Sequence, residues 1–184
     1  MRNSAFRRSA LHISATALSA SLICICSWIA LPIGGVPMTL QTLGVAFCSF
    51  LLGARGGACA ALVYLALGAV GLPVFAGFGG SLAFLVGPTG GFLIGFPILA
   101  LCCGFGARRN QIAIGFFLSL LGLTVCHLTG VLWFAHVSGI SIAQAFLISS
   151  LPYVVKDILC IAVARVTAQK VKKRFQGRSF FKNI

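Results

Sequence analysis

Pro32-Ile33-Gly34-Gly35-Val36-Pro37-Met38-Thr39-Leu40-Gln41-Thr42 is the first of two uncharged, glycine-rich turns around which the chain is organised. The second is Gly71-Leu72-Pro73-Val74-Phe75-Ala76-Gly77-Phe78-Gly79-Gly80, continuing to Gly87-Pro88-Thr89-Gly90-Gly91-Phe92. Both interrupt hydrophobic runs of membrane length. Glycine permits tight backbone geometry and proline fixes it, so such turns can fold back over a buried pocket. The rest of the chain then serves as scaffold for that lid or as anchorage for a partner.

Working outward, the apolar runs cover roughly residues 11–31, 40–52, 58–70, 92–105, 112–134 and 143–168. With 59% hydrophobic and 8% charged residues and a mean hydropathy of +1.07, the chain carries more apolar surface than a soluble domain needs. A polytopic helical membrane protein does need it. A transmembrane barrel would show alternating ten-residue segments and a polar lumen, and neither pattern is present. The expected fold is therefore an all-α integral membrane protein with six transmembrane helices, a single domain over residues 1–184. It has a short basic N-terminal segment (1–10) and a basic C-terminal tail (170–184). The charged start before the first run also suits a signal peptide, but no small-residue cleavage site follows, so the run reads as a retained helix.

The formal charge of +13 reads as membrane topology rather than nucleic-acid binding, because the basic residues flank the hydrophobic runs. With six helices, Arg2, Arg7, Arg8, Arg55, Arg108, Arg109 and the tail fall on one side, and the two glycine-rich turns and the 136–141 connection on the other. The positive-inside rule places both termini in the cytoplasm and both turns outside. Pro152 interrupts the last run, making its start a loop or a kinked entry. The eight cysteines lie within apolar runs without zinc or disulfide spacing, and read as packing residues.

Chemistry concentrates at Lys156-Asp157, where Asp157 is the single acidic residue of the chain. Charges in a membrane are costly and usually face a partner or a cavity. The two either pair with each other or contact a ligand entering from outside, and adjacent helical positions about 100° apart make an exclusive pair awkward. Gln41 can donate and accept, or can cap a helix end. Tyr64 is a core aromatic or a site hydroxyl, and His127 reads as a helix-packing residue. The chain has no GxxxxGK[ST] loop, no paired carboxylates and no nucleophile with an evident base, so enzyme readings are weak and no cofactor or metal is expected.

Four stretches together resemble the BioY family, the biotin-binding S components of energy-coupling factor (ECF) vitamin transporters. They are Val36-Pro37-Met38-Thr39-Leu40-Gln41-Thr42-Leu43, Leu52-Gly53-Ala54-Arg55-Gly56-Gly57-Ala58, Tyr64 to Phe75 with Gly71-Leu72-Pro73-Val74-Phe75, and Gly87-Pro88-Thr89-Gly90-Gly91-Phe92. The resemblance implies an S-component-like bundle in the bacterial cytoplasmic (inner) membrane that binds biotin beneath the outer loops. It also implies a transmembrane coupling protein and two ATPase subunits as partners, beside membrane lipid, with no nucleic acid. The expected ligand contacts are Gln41, Tyr64, Phe75, the Gly90-Gly91 backbone, Lys156 and Asp157. Small residues of the first helix, Ala17/Ser21 and Ala20/Cys24, are expected at the partner contact. In the family pattern a lysine follows the aspartate by three residues. Cys160 stands there in this chain, and Lys156, one turn earlier on the same helix face, is expected to supply the displaced cation. The alternatives are an S component for another vitamin or biotin-like molecule, and a membrane enzyme acting on a lipid-phase substrate.

Overall fold

The computed structural model describes residues 2–32, 36–109 and 111–174. Gly34 and Gly35 of the first turn, Asn110 and tail residues 175–184 lie outside them. Helix α1 (Arg2–Trp28) takes in most of the basic N-terminal segment as well as the first apolar run. Its end is fixed by Ser27, whose hydroxyl donates to the Cys24 carbonyl and to that of Val74 in the second turn. The first turn then doubles back. Strand β1 (Ala30–Leu31) pairs antiparallel with β2 (Met38–Thr39), with Ala30 opposite Thr39.

Helix α2 (Gln41–Ala69) is broken at Gly53, where φ is +78°. That left-handed value suits glycine, and the chain reverses there. A straight helix would put Gln41 and Tyr64 about 35 Å apart, yet the Gln41 amide reaches the Tyr64 hydroxyl at 2.6 Å. The limbs 41–52 and 54–69 therefore run side by side. They touch at Gly57, where a Cβ would lie 2.6 Å from the Ser49 Cα. The expected five-residue connection around Arg55 shrinks to one non-helical residue, because Arg55, Gly56 and Gly57 already belong to the returning limb.

The second turn holds a 3-10 turn (Ala76–Phe78) and the short helix α3 (Leu82–Val86). Helix α4 (Gly90–Ala107) then packs between α2 and α5 (Ile112–Ser138). Helix α5 runs past its expected end and stops at Gly139 in the left-handed conformation, so His136 is helical rather than part of a loop. A capping box from Ser141 and Gln144 starts α6 (Ile142–Ser149). Helix α7 (Leu151–Arg174) follows at a 49° bend. Pro152 falls in the first turn of α7, where a missing N–H costs no helical bond, and the expected kinked entry is a separate short helix.

Ile23, Val45, Leu99, Cys103 and Ile161 are fully buried, whereas Ile13, Leu18, Phe117 and Val155 are each about 70% exposed. An apolar exterior of this kind suits lipid. Ser9–Trp28, α2, α4 and α5 are each long and apolar enough to cross a membrane, and the bent α6–α7 pair counts as a further span.

Candidate functional site

The start of α7 is held against the first turn by two side chains. The Tyr153 hydroxyl donates to the Val36 carbonyl, and Lys156 Nζ donates to the Thr39 carbonyl at 2.7 Å. Lys156 Nζ also lies 2.6 Å from Asp157 Oδ1, so the neighbouring charges do pair. The pairing is not exclusive. Asp157 Oδ2 lies 3.1 Å from His127 Nε2 of α5, and His127 Nδ1 lies 2.8 Å from Ser150 Oγ. A line of polar contacts thus runs from Ser150 through His127, Asp157 and Lys156 to the first-turn backbone. Asp157 is 5% exposed and both of its oxygens are engaged, Oδ1 by the Lys156 ammonium and Oδ2 by His127. A carboxylate offers about four lone-pair sites, so Asp157 can accept an incoming N–H alongside these partners.

Gln41 closes the opposite wall. Its amide oxygen accepts from Thr39 Oγ1 at 2.7 Å while its NH2 donates to Tyr64. Tyr64 is fully buried and stands edge-on to Phe75, ring centres 5.4 Å apart. Phe75 in turn meets Phe84 at 5.7 Å. These groups enclose a cavity of about 870 Å³, its open mouth included. Its polar side comprises Thr39, Gln41, Thr42, His127, Lys156 and Asp157. Its apolar side comprises Phe75, Phe84, Phe92, Phe96 and Leu123, with Val36 and Pro37 of the first turn and Ala76 and Thr89 of the second at the rim of the same space. The size and the few convergent polar groups are those of a small-molecule site. No cluster of three metal-ligating side chains occurs among the described residues.

Of the residues expected to meet a ligand, Gln41, Phe75, Lys156 and Asp157 line this cavity. Tyr64 stands behind Gln41 and orients it. Gly90 and Gly91 turn elsewhere. A Cβ on Gly91 would lie 2.4 Å from Trp133 Cβ, and the Gly91 carbonyl accepts from Thr129 Oγ1 at 3.2 Å, so this pair lets α4 and α5 approach. Thr89 and Phe92 are the cavity contacts from that stretch. On α1, Ala17 and Ser21 are exposed, but Ala20 and Cys24 are buried in the chain's own core and cannot face a partner. His127 corrects a sequence reading, since it is no mere packing residue. Its partners Ser150 and Asp157 lie 23 and 30 positions away, and no local pattern announces them.

A model of the BioY family matches residues 1–177. The chain is 38% identical over 161 residues to the probable biotin transporter BioY of Pyrococcus horikoshii, covering 88% of this chain and 96% of that one. It is 36% identical over 157 residues to the biotin transporter BioY of Thermotoga maritima, covering 83% and 90%. Its fold superposes with a TM-score of 0.81 on the crystal structure of the S-component for biotin from an ECF-type ABC transporter. That match spans 91% of this chain and 93% of the other at 26% identity.

Proposed function

The chain belongs to the BioY family, and from that premise we propose that it binds biotin and takes it up across the membrane as the S component of an ECF-type transporter. It is a transporter subunit rather than an enzyme. The observation that carries the site is the buried Lys156–Asp157–His127 cluster opening into an aromatic-walled cavity. Biotin presents two ureido N–H groups, a ureido oxygen, a thioether and a carboxylate. In this reading Asp157 accepts a ureido N–H, Gln41 meets the ureido edge, Lys156 supplies the cation, and Phe75, Phe92 and Phe96 cover the apolar body.

Six spans with both termini in the cytoplasm place the cavity at the outer face. Two features support this arrangement, the reversal at Gly53 and the gathering of Arg55, Arg108 and Arg109 at one end of the helices. The first and second turns then form the lid that admits biotin from outside. With no nucleotide-binding loop in the chain, a coupling protein and two ATPase subunits supply the energy, and the outward pair Ala17/Ser21 suits a contact with the coupling protein. The membrane is the bacterial cytoplasmic (inner) membrane.

Titration of labelled biotin onto the purified protein in detergent tests the reading, with desthiobiotin, lipoate and thiamine as competitors. Saturable binding displaced by desthiobiotin alone is the expected result. Folded protein that binds none would remove the biotin assignment.

A further inference from the structure

A second cleft lies at the end of the bundle opposite the biotin cavity, between α1 and the Gly53 bend. It is lined by His12, Arg55 and Arg108, with the Thr16 hydroxyl and the apolar side chains of Ala15, Leu52 and Cys59. Its volume is about 860 Å³ with its open side included. The Arg108 guanidinium folds over the bend, 3.8 Å from where a Gly53 Cβ would stand. Lys172 of α7 is close enough to repel it. Like charges gathered in this way need a counter-charge. The chain holds one carboxylate side chain, Asp157, and it is at the other end and already engaged. Among the described residues, Arg55 and Arg108 make no ion pair.

We infer that this cleft binds the headgroup of an anionic phospholipid. The inference rests on reading the chain as membrane-spanning. A phosphodiester matches the two guanidinium groups, which bind its oxygens by paired hydrogen bonds. The surroundings favour a lipid over a soluble anion. Ile13 and Leu18 of α1 are about 70% exposed beside the cleft residues His12, Ala15 and Thr16, and Leu62 is 54% exposed on the returning limb. A headgroup seated between the arginines would leave its acyl chains running along these faces. Basic pockets between helices at the cytoplasmic surface are suited to such headgroups.

The test is a lipid titration of the full-length protein in detergent, read by native mass spectrometry, with phosphatidylglycerol against phosphatidylcholine. Phosphatidylglycerol should bind more tightly, and Arg55→Gln/Arg108→Gln should raise its Kd by about tenfold or more. Phosphatidylcholine binding should not change. Lys170→Gln/Lys173→Gln, which removes the same charge elsewhere, should change the phosphatidylglycerol Kd less than about twofold. Biotin binding should persist in both double variants, confirming that they fold. If the first does not fold, Arg55→Gln and Arg108→Gln singly should each weaken the lipid about threefold or more. An unchanged Kd in the cleft variants, or an equal loss in the tail variant, overturns the proposal. So does displacement of the lipid by millimolar inorganic phosphate, which would make this a small-anion site. Full lipid binding with loss of the transporter's other subunits would make it a protein-docking surface instead.

Discussion

Asp157 carries the site because Lys156 and His127 converge on it, one at each oxygen, in the wall of the cavity. Asp157→Asn keeps the shape but removes the charge that Lys156 and His127 share. A hydrogen bond to a charged group is worth about 1.5–3 kcal/mol, so biotin binding measured by calorimetry should weaken roughly 10- to 100-fold. Lys156→Ala should weaken it about tenfold or more, and it separates two roles. If Lys156 meets the ligand's carboxylate, biotinamide should bind the variant and the unmutated protein nearly alike, a coupling that a double cycle of protein and ligand changes isolates. A Lys156→Ala protein that holds biotin as tightly as the original would end the claim that this lysine stands in for the one displaced at Cys160. His127 acts through Asp157 as well as lining the cavity. His127→Phe should therefore cost roughly tenfold in affinity, and His127→Gln, which keeps a donor, should recover part of it. Lys156 and Asp157 were legible from the sequence because charges inside an apolar run are conspicuous. Tyr153 and Ser150 were not, since their partners Val36 and His127 are 117 and 23 positions away and neither side chain is unusual at a helix entrance.

At the scale of elements, the fold turns on the reversal within α2. Its glycines and Arg55 mark a break in the apolar pattern, so the turn and its place were readable from residues 53–57. The extent of each limb was not. Gly56 and Gly57 look like loop residues, but they sit in a helix because the two limbs need backbone contact there. Gly57→Ala would press a methyl carbon to 2.6 Å from Ser49 Cα, and backbone cannot yield as a flexible side chain does. Overpacking of this kind costs about 1–3 kcal/mol. Thermal unfolding in detergent should show it as a lowered midpoint, with biotin affinity of the surviving folded fraction little changed. Gly68→Ala differs in kind. Its Cβ would fall 2.0 Å from the Phe75 ring, so relief comes by displacing a wall of the cavity. That variant should lose biotin affinity as well as stability, and a loss of stability alone would show that Phe75 is not part of the ligand's surface.

Across the whole molecule, charge distribution and helix directions make one arrangement self-consistent. The first turn, the second turn and the start of α7 meet at one end, tied by Ser27 to Val74, Tyr153 to Val36 and Lys156 to Thr39. Arg55, Arg108 and the basic end of α7 meet at the other. If the limbs of α2 are two separate spans, Arg55 and Arg109 share a side and Ala76 lies opposite. If α2 crossed once, Arg55 would sit within the bilayer, where a charge costs roughly 2.5–3.5 kcal/mol. A membrane-impermeant maleimide distinguishes the two. Arg55→Cys and Arg109→Cys should label only after permeabilisation, and Ala76→Cys should label in intact cells. The unmutated protein sets the background, which includes the exposed Cys59, and a Cys59→Ser background removes that contribution. Ala76 borders the cavity, so biotin should also slow labelling of Ala76→Cys. Protection there, with none at Ser138→Cys on the same side, would tie the outward face and the binding cavity into a single entrance. Labelling of Arg55→Cys from outside would break both the span count and the direction of entry.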